Sequence, residues 1–514
     1  MNVLYKIKSS IESHPFTTFA TAAFLIVCIH ILTVAEYPSA WFDEIEIIEI
    51  GRFSIFDISP EWSVNLMPTS SGALAPPHPY FHYLSGALLE AMYRLTGSFI
   101  AGRIIMLLSL PVCALITFFW LKEIGFGIIT ALATSLLILV DPNATICAHW
   151  YRPDIWCVSI ILFSSLLISK SKKSTHPSVL RLIAGGLGAL SIFFWITAVL
   201  ILPIIFLEQY RNRSTATKLY LFKSLVIVTI GAVVTTAILL IPLYRHIPDI
   251  INQYLTNSEI TTLATTQNTH FTAIGERIKD FVKIACRSPF IWTAAIAGIF
   301  IQRKLTAHAV TFTITVIFIL LTRVYHLRMI YLIPYLFLFT AAFVEHFISS
   351  SQKILSMSAR LFSIGALCFG FLLSVVALNY AAWPEKNTLP IFTDKLKQAI
   401  PMMEPNVCIL DFEHECYYAG RSLGWKMYST SQRTLVLKKG YIKFLDQMDA
   451  VIISSALPDI TDQDKNTLAA QGFVRTDTID MPPAATGMFK TKLANIFYAH
   501  GYPSCEIWKR TRVK

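Results

Sequence analysis

PFTTFATAAFLIVCIHILTVAEYPSAWFDEIEIIEIGRF, Pro15 to Phe53, joins a long apolar run to four carboxylates, Asp43, Glu44, Glu46 and Glu49, crowded into seven positions. The apolar part, preceded by Lys6 and Lys8, is longer than the core of about 7–15 residues in a cleaved signal peptide. It reads as a retained signal anchor, since about 20 apolar residues cross a bilayer as a helix. The acidic part fits neither simple pattern. As a helix it has no apolar stripe, because Ile45, Ile47, Ile48 and Ile50 spread round the wheel, and as a strand its alternation breaks at Ile47–Ile48.

Working outward, the whole chain is 54% hydrophobic and 15% charged, with a mean hydropathy of +0.56. Soluble domains carry about 25% charged residues, so the composition argues for an integral membrane protein. The net charge of +11 does not point to nucleic acid. Lys and Arg gather in short loops beside apolar runs, where they report orientation. Nine cysteines show no CxxC metal spacing, and Cys408, Cys416 and Cys505 lie in a polar tail where a disulfide stays open as a choice.

Further apolar runs are Ile100–Leu121, Phe126–Val140, Ile155–Ser169, Leu180–Leu207, Tyr220–Leu243, Pro289–Ile301, Leu305–Leu321, Met329–Phe347 and Leu361–Ala381. Basic clusters at Lys170–Lys173, Arg211–Lys218, Gln302–Lys304 and Lys353–Arg360 mark the cytoplasmic side. Parity then makes Pro79–Gly97 a juxtamembrane helix on the outer side and divides Leu180–Leu207 into two short helices. The expected fold is an all-α polytopic membrane protein of about eleven transmembrane helices, N-terminus inside. From Pro384 the composition turns soluble. NVCIL and DAVIIS read as buried strands, and Thr461–Gln471 reads as a helix opening on a capping residue. The expected division is a membrane domain, 1–383, and a small extracytoplasmic α/β domain, 384–514.

The order of motifs carries a resemblance. WFDEIEIIEIGR is followed by APPHPYFHYLSGALLEAMYRLTG and then by the Arg-bearing span AGRIIMLLSLPVCALITFFWLKEIGFG. Weaker echoes are YRPDIW, GLGALSIFFWITAVLILP, HLRMIYLIPYL and the YYAGR of the tail, Tyr417–Arg421. Together they resemble the GT-C membrane glycosyltransferases, nearest the protein O-mannosyltransferase and aminoarabinose-transferase-like branch. The resemblance implies inverting transfer of a sugar from a polyprenyl-phosphate donor to an extracytoplasmic acceptor: a lipid such as lipopolysaccharide, a glycan or a protein hydroxyl. It places the protein in the inner (plasma) membrane and the cell envelope. It assigns the general base to the acid of the DE pair, Asp43, with Glu44 in reserve.

Elementary chemistry asks for the same parts: a base for the acceptor hydroxyl, cations for the donor phosphate and an apolar slot for its lipid. A positioned carboxylate is worth about 10²–10⁴ in rate. Arg152 and Asp154 sit at the outer lip of a span, where lipid exposure is costly. They are read as phosphate contact and second acid, or as a structural ion pair. Arg323, His326 and Arg328 join two spans on the same face and are phosphate candidates, since guanidinium grips phosphate bidentately; the bland alternative is snorkelling at a helix end. His78, His82 and Tyr83 are substrate-contact candidates, with an aromatic belt as the alternative. Trp195 stands where many members of the group carry Lys. No cofactor is certain from the sequence. A divalent metal held by Asp43, Asp154 and His78 stays open, because no tight ligand spacing is present. The expected partners are the sugar donor, a lipid or glycan acceptor and membrane lipids, with no nucleic acid. A transporter or flippase of a lipid-linked glycan is a rival, disfavoured by the lack of an internal repeat; a non-catalytic envelope scaffold is another. The enzyme reading expects Asp43 and Arg328 to share one exterior cleft.

Overall fold

In hydrocarbon every backbone N–H and C=O must be satisfied within the segment, which leaves the helix as the natural state of an apolar chain. The computed structural model describes residues 13–34, 42–57, 67–68, 74–75, 81–211, 218–248, 250–251, 270–302, 305–322, 324–383, 388–400, 408–411, 416–429, 445–455, 460–481, 488–497 and 502–511. It is a multi-pass membrane protein with a small C-terminal sheet. Among the described residues seven helices are long and apolar enough to cross a membrane, Pro15–Val34, Phe99–Ile124, Asp154–Ser171, Pro177–Phe194, Leu219–His246, His326–Ile348 and Ile354–Ala382. The number rises to nine if two bent pairs, one broken at Asp141 and one after Ala285, each count as a span; Thr306–Leu321 is a shorter apolar helix.

About eleven were expected, and Leu180–Leu207 divides in two as expected. Pro177–Phe194 is a full helix, but Trp195 is extended, with φ −161° and ψ 127°. A 3-10 turn, Ile196–Ile201, and the short helix Pro203–Arg211 follow. This return stretch runs the length of Asp154–Ser171: Trp195 lies against Arg152 at one end, and Arg211 donates to Ser169 Oγ at 3.0 Å at the other.

The chain forms two compact units that interleave in sequence. One comprises Met1–Leu32 and Ile104–Ala377, the other Thr33–Arg103 and Leu378–Lys514. In the first, helices approach closely through small residues, the usual device where lipid supplies no hydrophobic drive between helices. A Cβ on Gly185 would stand 1.9 Å from the Val228 carbonyl oxygen, and one on Gly231 would stand 2.0 Å from that of Leu182. Pro177–Phe194 and Lys218–Leu240 therefore touch backbone to backbone.

In the second unit the acidic segment is a helix, Phe42–Gly51, continued by a π turn, Arg52–Phe56. The missing apolar stripe has a simple cause. Ile45, Ile47, Ile48 and Ile50 are all at most 1% exposed, and a helix buried on every side shows no single face. It packs on Leu84–Thr96, where Gly51 and Gly86 meet so closely that a Cβ on Gly86 would lie 1.8 Å from the Ile47 carbonyl oxygen.

The tail contributes a five-stranded mixed sheet. In chain order its strands are β3 (Cys408–Asp411), β4 (Lys426–Ser429), β5 (Ala450–Ser454), β6 (Phe473–Ile479) and β7 (Cys505–Arg510); β1 (Met67–Pro68) and β2 (Leu74–Ala75) form a separate antiparallel pair. The sheet order is β4-β3-β5-β7-β6. β3 runs parallel to β4 and β5, while β7 is antiparallel to β5 and β6. Leu410, Val451, Ile453, Phe473 and Trp508 form its core with Leu445, Met448 and Leu468. Thr461 caps Asp462–Ala470 through a capping box with Asp464.

Candidate functional site

Within the second unit, the carboxylates of the acidic helix are held by arginines and tyrosines. Arg103, near the start of Phe99–Ile124, donates from Nε and Nη2 to the two oxygens of Glu44 at 3.0 and 2.9 Å. Tyr418 donates its hydroxyl to the same Glu44. One helical turn on, Arg52 donates to Glu49 at 2.7 Å and the Tyr417 hydroxyl donates to it at 2.5 Å. Glu90, fully buried on Leu84–Thr96, accepts from Arg421 at 2.7 and 3.1 Å and from Arg94 at 2.7 Å. Asp57 completes the net, accepting from Arg94 at 2.8 Å and Arg52 at 3.3 Å. Buried charges are tolerated only when so matched. Burial pushes the Tyr417 phenol well above its ordinary value and the charges of Glu49 and Glu90 add to that, against Arg421 and Arg52. Tyr417 therefore stays a donor.

Beside this net lies a cavity of about 160 Å³ lined by Tyr93, Phe99, Arg103, Leu389, Thr393 and Tyr418, among others. Its aromatic wall is continuous, with Phe99 stacked on Tyr93 at 4.0 Å and tilted against Tyr418 at 4.0 Å.

The first unit holds a separate polar cluster. Arg152 donates to Asp154 at 2.8 Å and lies over the Trp195 ring at 4.7 Å. The Tyr331 hydroxyl donates to the other Asp154 oxygen at 2.8 Å. His326, buried, sets its ring edge-on to Trp150 at 4.6 Å. Arg328 is half-buried and donates to Thr322 Oγ1 at 2.8 Å.

No family model and no curated protein matches the sequence. Solved structures do match the fold. ArnT from Cupriavidus metallidurans, solved with undecaprenyl phosphate bound, superposes with a TM-score of 0.60 at 12% identity, over 96% of this chain and 97% of that one. Arabinofuranosyltransferase AftD from Mycobacteria gives 0.51 at 11% identity over 96% of this chain, which spans 41% of AftD. The oligosaccharyltransferase AglB from Archaeoglobus fulgidus, in complex with an inhibitory peptide and a dolichol-phosphate, gives 0.50 at 10% identity, over 86% and 70% of the two chains. This chain has the GT-C fold.

In that GT-C frame the sequence-derived site residues fall as follows. Asp43 is the second residue of the acidic helix, with its side chain outside the described residues. His78 and Arg323 also lie outside them. Glu44 is committed to Arg103 and Tyr418. His82 and Tyr83 are buried where the Leu84–Thr96 helix begins, and burial raises the Tyr83 phenol. Arg152 and Asp154 pair with each other, and Tyr331 joins them. Among the described residues no three His, Cys, Asp or Glu side chains gather as metal ligands would. Sequence reasoning met Arg103 only as part of a motif, gave Glu90 and Tyr331 no role in the site, and noted YYAGR only as an echo. A lone Arg four residues into an apolar span was the available signal, because such a residue must have a partner.

Proposed function

We propose that this chain is a membrane glycosyltransferase that moves a sugar, with inversion, from a polyprenyl-phosphate donor to an acceptor on the outer face of the cytoplasmic membrane. Asp43 is the general base. The donor tail lies among apolar helices, and Arg152, His326, Arg328 and Arg323 serve its phosphate. His78, His82 and Tyr83 serve the substrate side.

The observation that carries this reading is the fixed acidic helix. Glu44 and Glu49 have their charges taken up by Arg103 and Arg52, so neither is available to accept a proton from an acceptor. Asp43 is the neighbouring acid on the same helix. A base needs a firm support, and the pairs of Glu44 with Arg103 and of Glu49 with Arg52 anchor the helix that carries it. The fold shared with ArnT, whose structure contains undecaprenyl phosphate, supports the lipid-phosphate donor.

Mass analysis of envelope glycans from cells with and without the protein tests the function. Loss of one sugar residue from one glycan class, restored by the wild-type chain, is expected and names both sugar and acceptor. Loss of a whole glycan, with its complete lipid-linked precursor trapped on the inner leaflet, points instead to a flippase, and an unchanged glycan profile contradicts the proposal.

A further inference from the structure

The helix His270–Ala285 divides into three arcs. Ile274, Ile278 and Val282 follow one another at four-residue intervals and are 37%, 48% and 52% exposed. A second arc is packed: Arg277 donates to the Leu321 and Leu320 carbonyls at 2.6 and 3.4 Å, Phe281 meets Trp292 edge-on at 5.3 Å, and Ile284 is buried. The third carries Glu276, Lys279, Asp280 and Lys283, with Glu276 and Lys279 paired in the open at 3.4 Å. A helix between protein and water needs two arcs, not three.

Its direction says what covers the apolar arc. Ile274–Ala285 meets the next helix, Pro289–Ile301, at 105°. Pro289–Ile301 is apolar throughout and packs on the membrane span His326–Ile348, where a Cβ on Gly298 would stand 2.0 Å from the Phe339 carbonyl oxygen. A helix nearly perpendicular to such an element runs along the bilayer surface. Four charges on one arc keep it out of the hydrocarbon, while an apolar arc on the opposite side suits the headgroup–acyl boundary.

We propose that Ile274–Ala285 lies flat in the membrane interface, with Ile274, Ile278 and Val282 dipped into lipid and Lys279 and Lys283 in water. This placement stands independently of the sugar-transfer reading. Through Arg277 the helix is fastened to the end of Thr306–Leu321, beside the Thr322 that accepts from Arg328, so it gauges the depth of that turn.

Site-directed spin labelling of the full chain in nanodiscs tests it, with the exposed Cys28, Cys286 and Cys368 replaced by Ser. Labels at Ile278→Cys and Val282→Cys are expected to be open to oxygen and shielded from a water-soluble nickel chelate. Labels at Lys279→Cys and Lys283→Cys should show the reverse. Equal chelate access at all four positions overturns the proposal in favour of a solvated helix. Shielding of Ile278 from both agents overturns it in favour of a second protein surface. Phe281→Cys, on the packed arc, reports whether the labelled chain keeps its fold.

Discussion

Arg103 grips both carboxylate oxygens of Glu44 while neither side chain is more than 2% exposed. The partners stand 59 positions apart in sequence. Their pairing fixes the acidic helix against the first residues of Phe99–Ile124. Removing one partner leaves a buried charge with no counterpart, which costs about 3–5 kcal/mol. Arg103→Ala should therefore lower the thermal midpoint of the purified protein sharply, while the double replacement Arg103→Met with Glu44→Leu should recover most of the loss. An Arg103→Ala midpoint equal to that of the wild type contradicts the pairing.

The tail tyrosines make a subtler test. Tyr417→Phe and Tyr418→Phe keep the rings, which pack on Phe99 and on each other, and delete only the hydroxyls given to Glu49 and Glu44. A buried acceptor that loses a donor costs about 1–3 kcal/mol. Each variant should destabilise by that order, measured by thermal unfolding. Arg421→Lys should also destabilise, because an ammonium does not reproduce the two-pronged contact with Glu90.

Gly86→Ala adds one methyl where the Ile47 carbonyl already stands. Backbone cannot yield as a side chain tip does, so the acidic helix must move; overpacking of this kind costs about 1–3 kcal/mol or more. Sugar transfer should fall together with stability. Gly275→Ala, with open space around its Cβ, should change neither and serves as the control.

The membrane class, the helical segments and the tail strands were legible because they are local. Hydropathy runs mark helices whatever their partners, and Cys408–Asp411 and Ala450–Ser454 show themselves as apolar stretches between polar ones. The Thr461 cap was visible for the same reason. What held the candidate site together was not local. Glu44 meets Tyr418 across 374 positions and Glu49 meets Tyr417 across 368, and no periodicity carries such information. The composition change near Pro384 reports where lipid ends, not which residues pack together, so it says nothing of Thr33–Arg103 joining the tail in one unit. The break at Trp195 was legible from the basic clusters on both sides of Leu180–Leu207, although the hydropathy of that run continues through it.

The tail sheet should respond to acid at Glu506. Burial works against its charge, but hydrogen bonds from Lys465 and Trp508 and the charges of Lys465 and Arg475 outweigh it and hold the carboxyl below its ordinary 4.5. A carboxyl depressed by folding contributes its stability above the unfolded value and loses it as pH falls through the folded one. The wild type should thus lose stability relative to Glu506→Gln below about pH 4.5, and the two unfolding curves should stay parallel above it. A constant difference across that range removes Glu506 from the account.

The central claim is that Asp43 takes the acceptor proton. The direct measurement uses purified protein in nanodiscs with an extract of lipid-linked sugars, following release of polyprenyl phosphate alongside binding of the donor. Asp43→Asn should slow release about 10²–10⁴-fold and leave donor binding unchanged. Release at the wild-type rate by Asp43→Asn would contradict it.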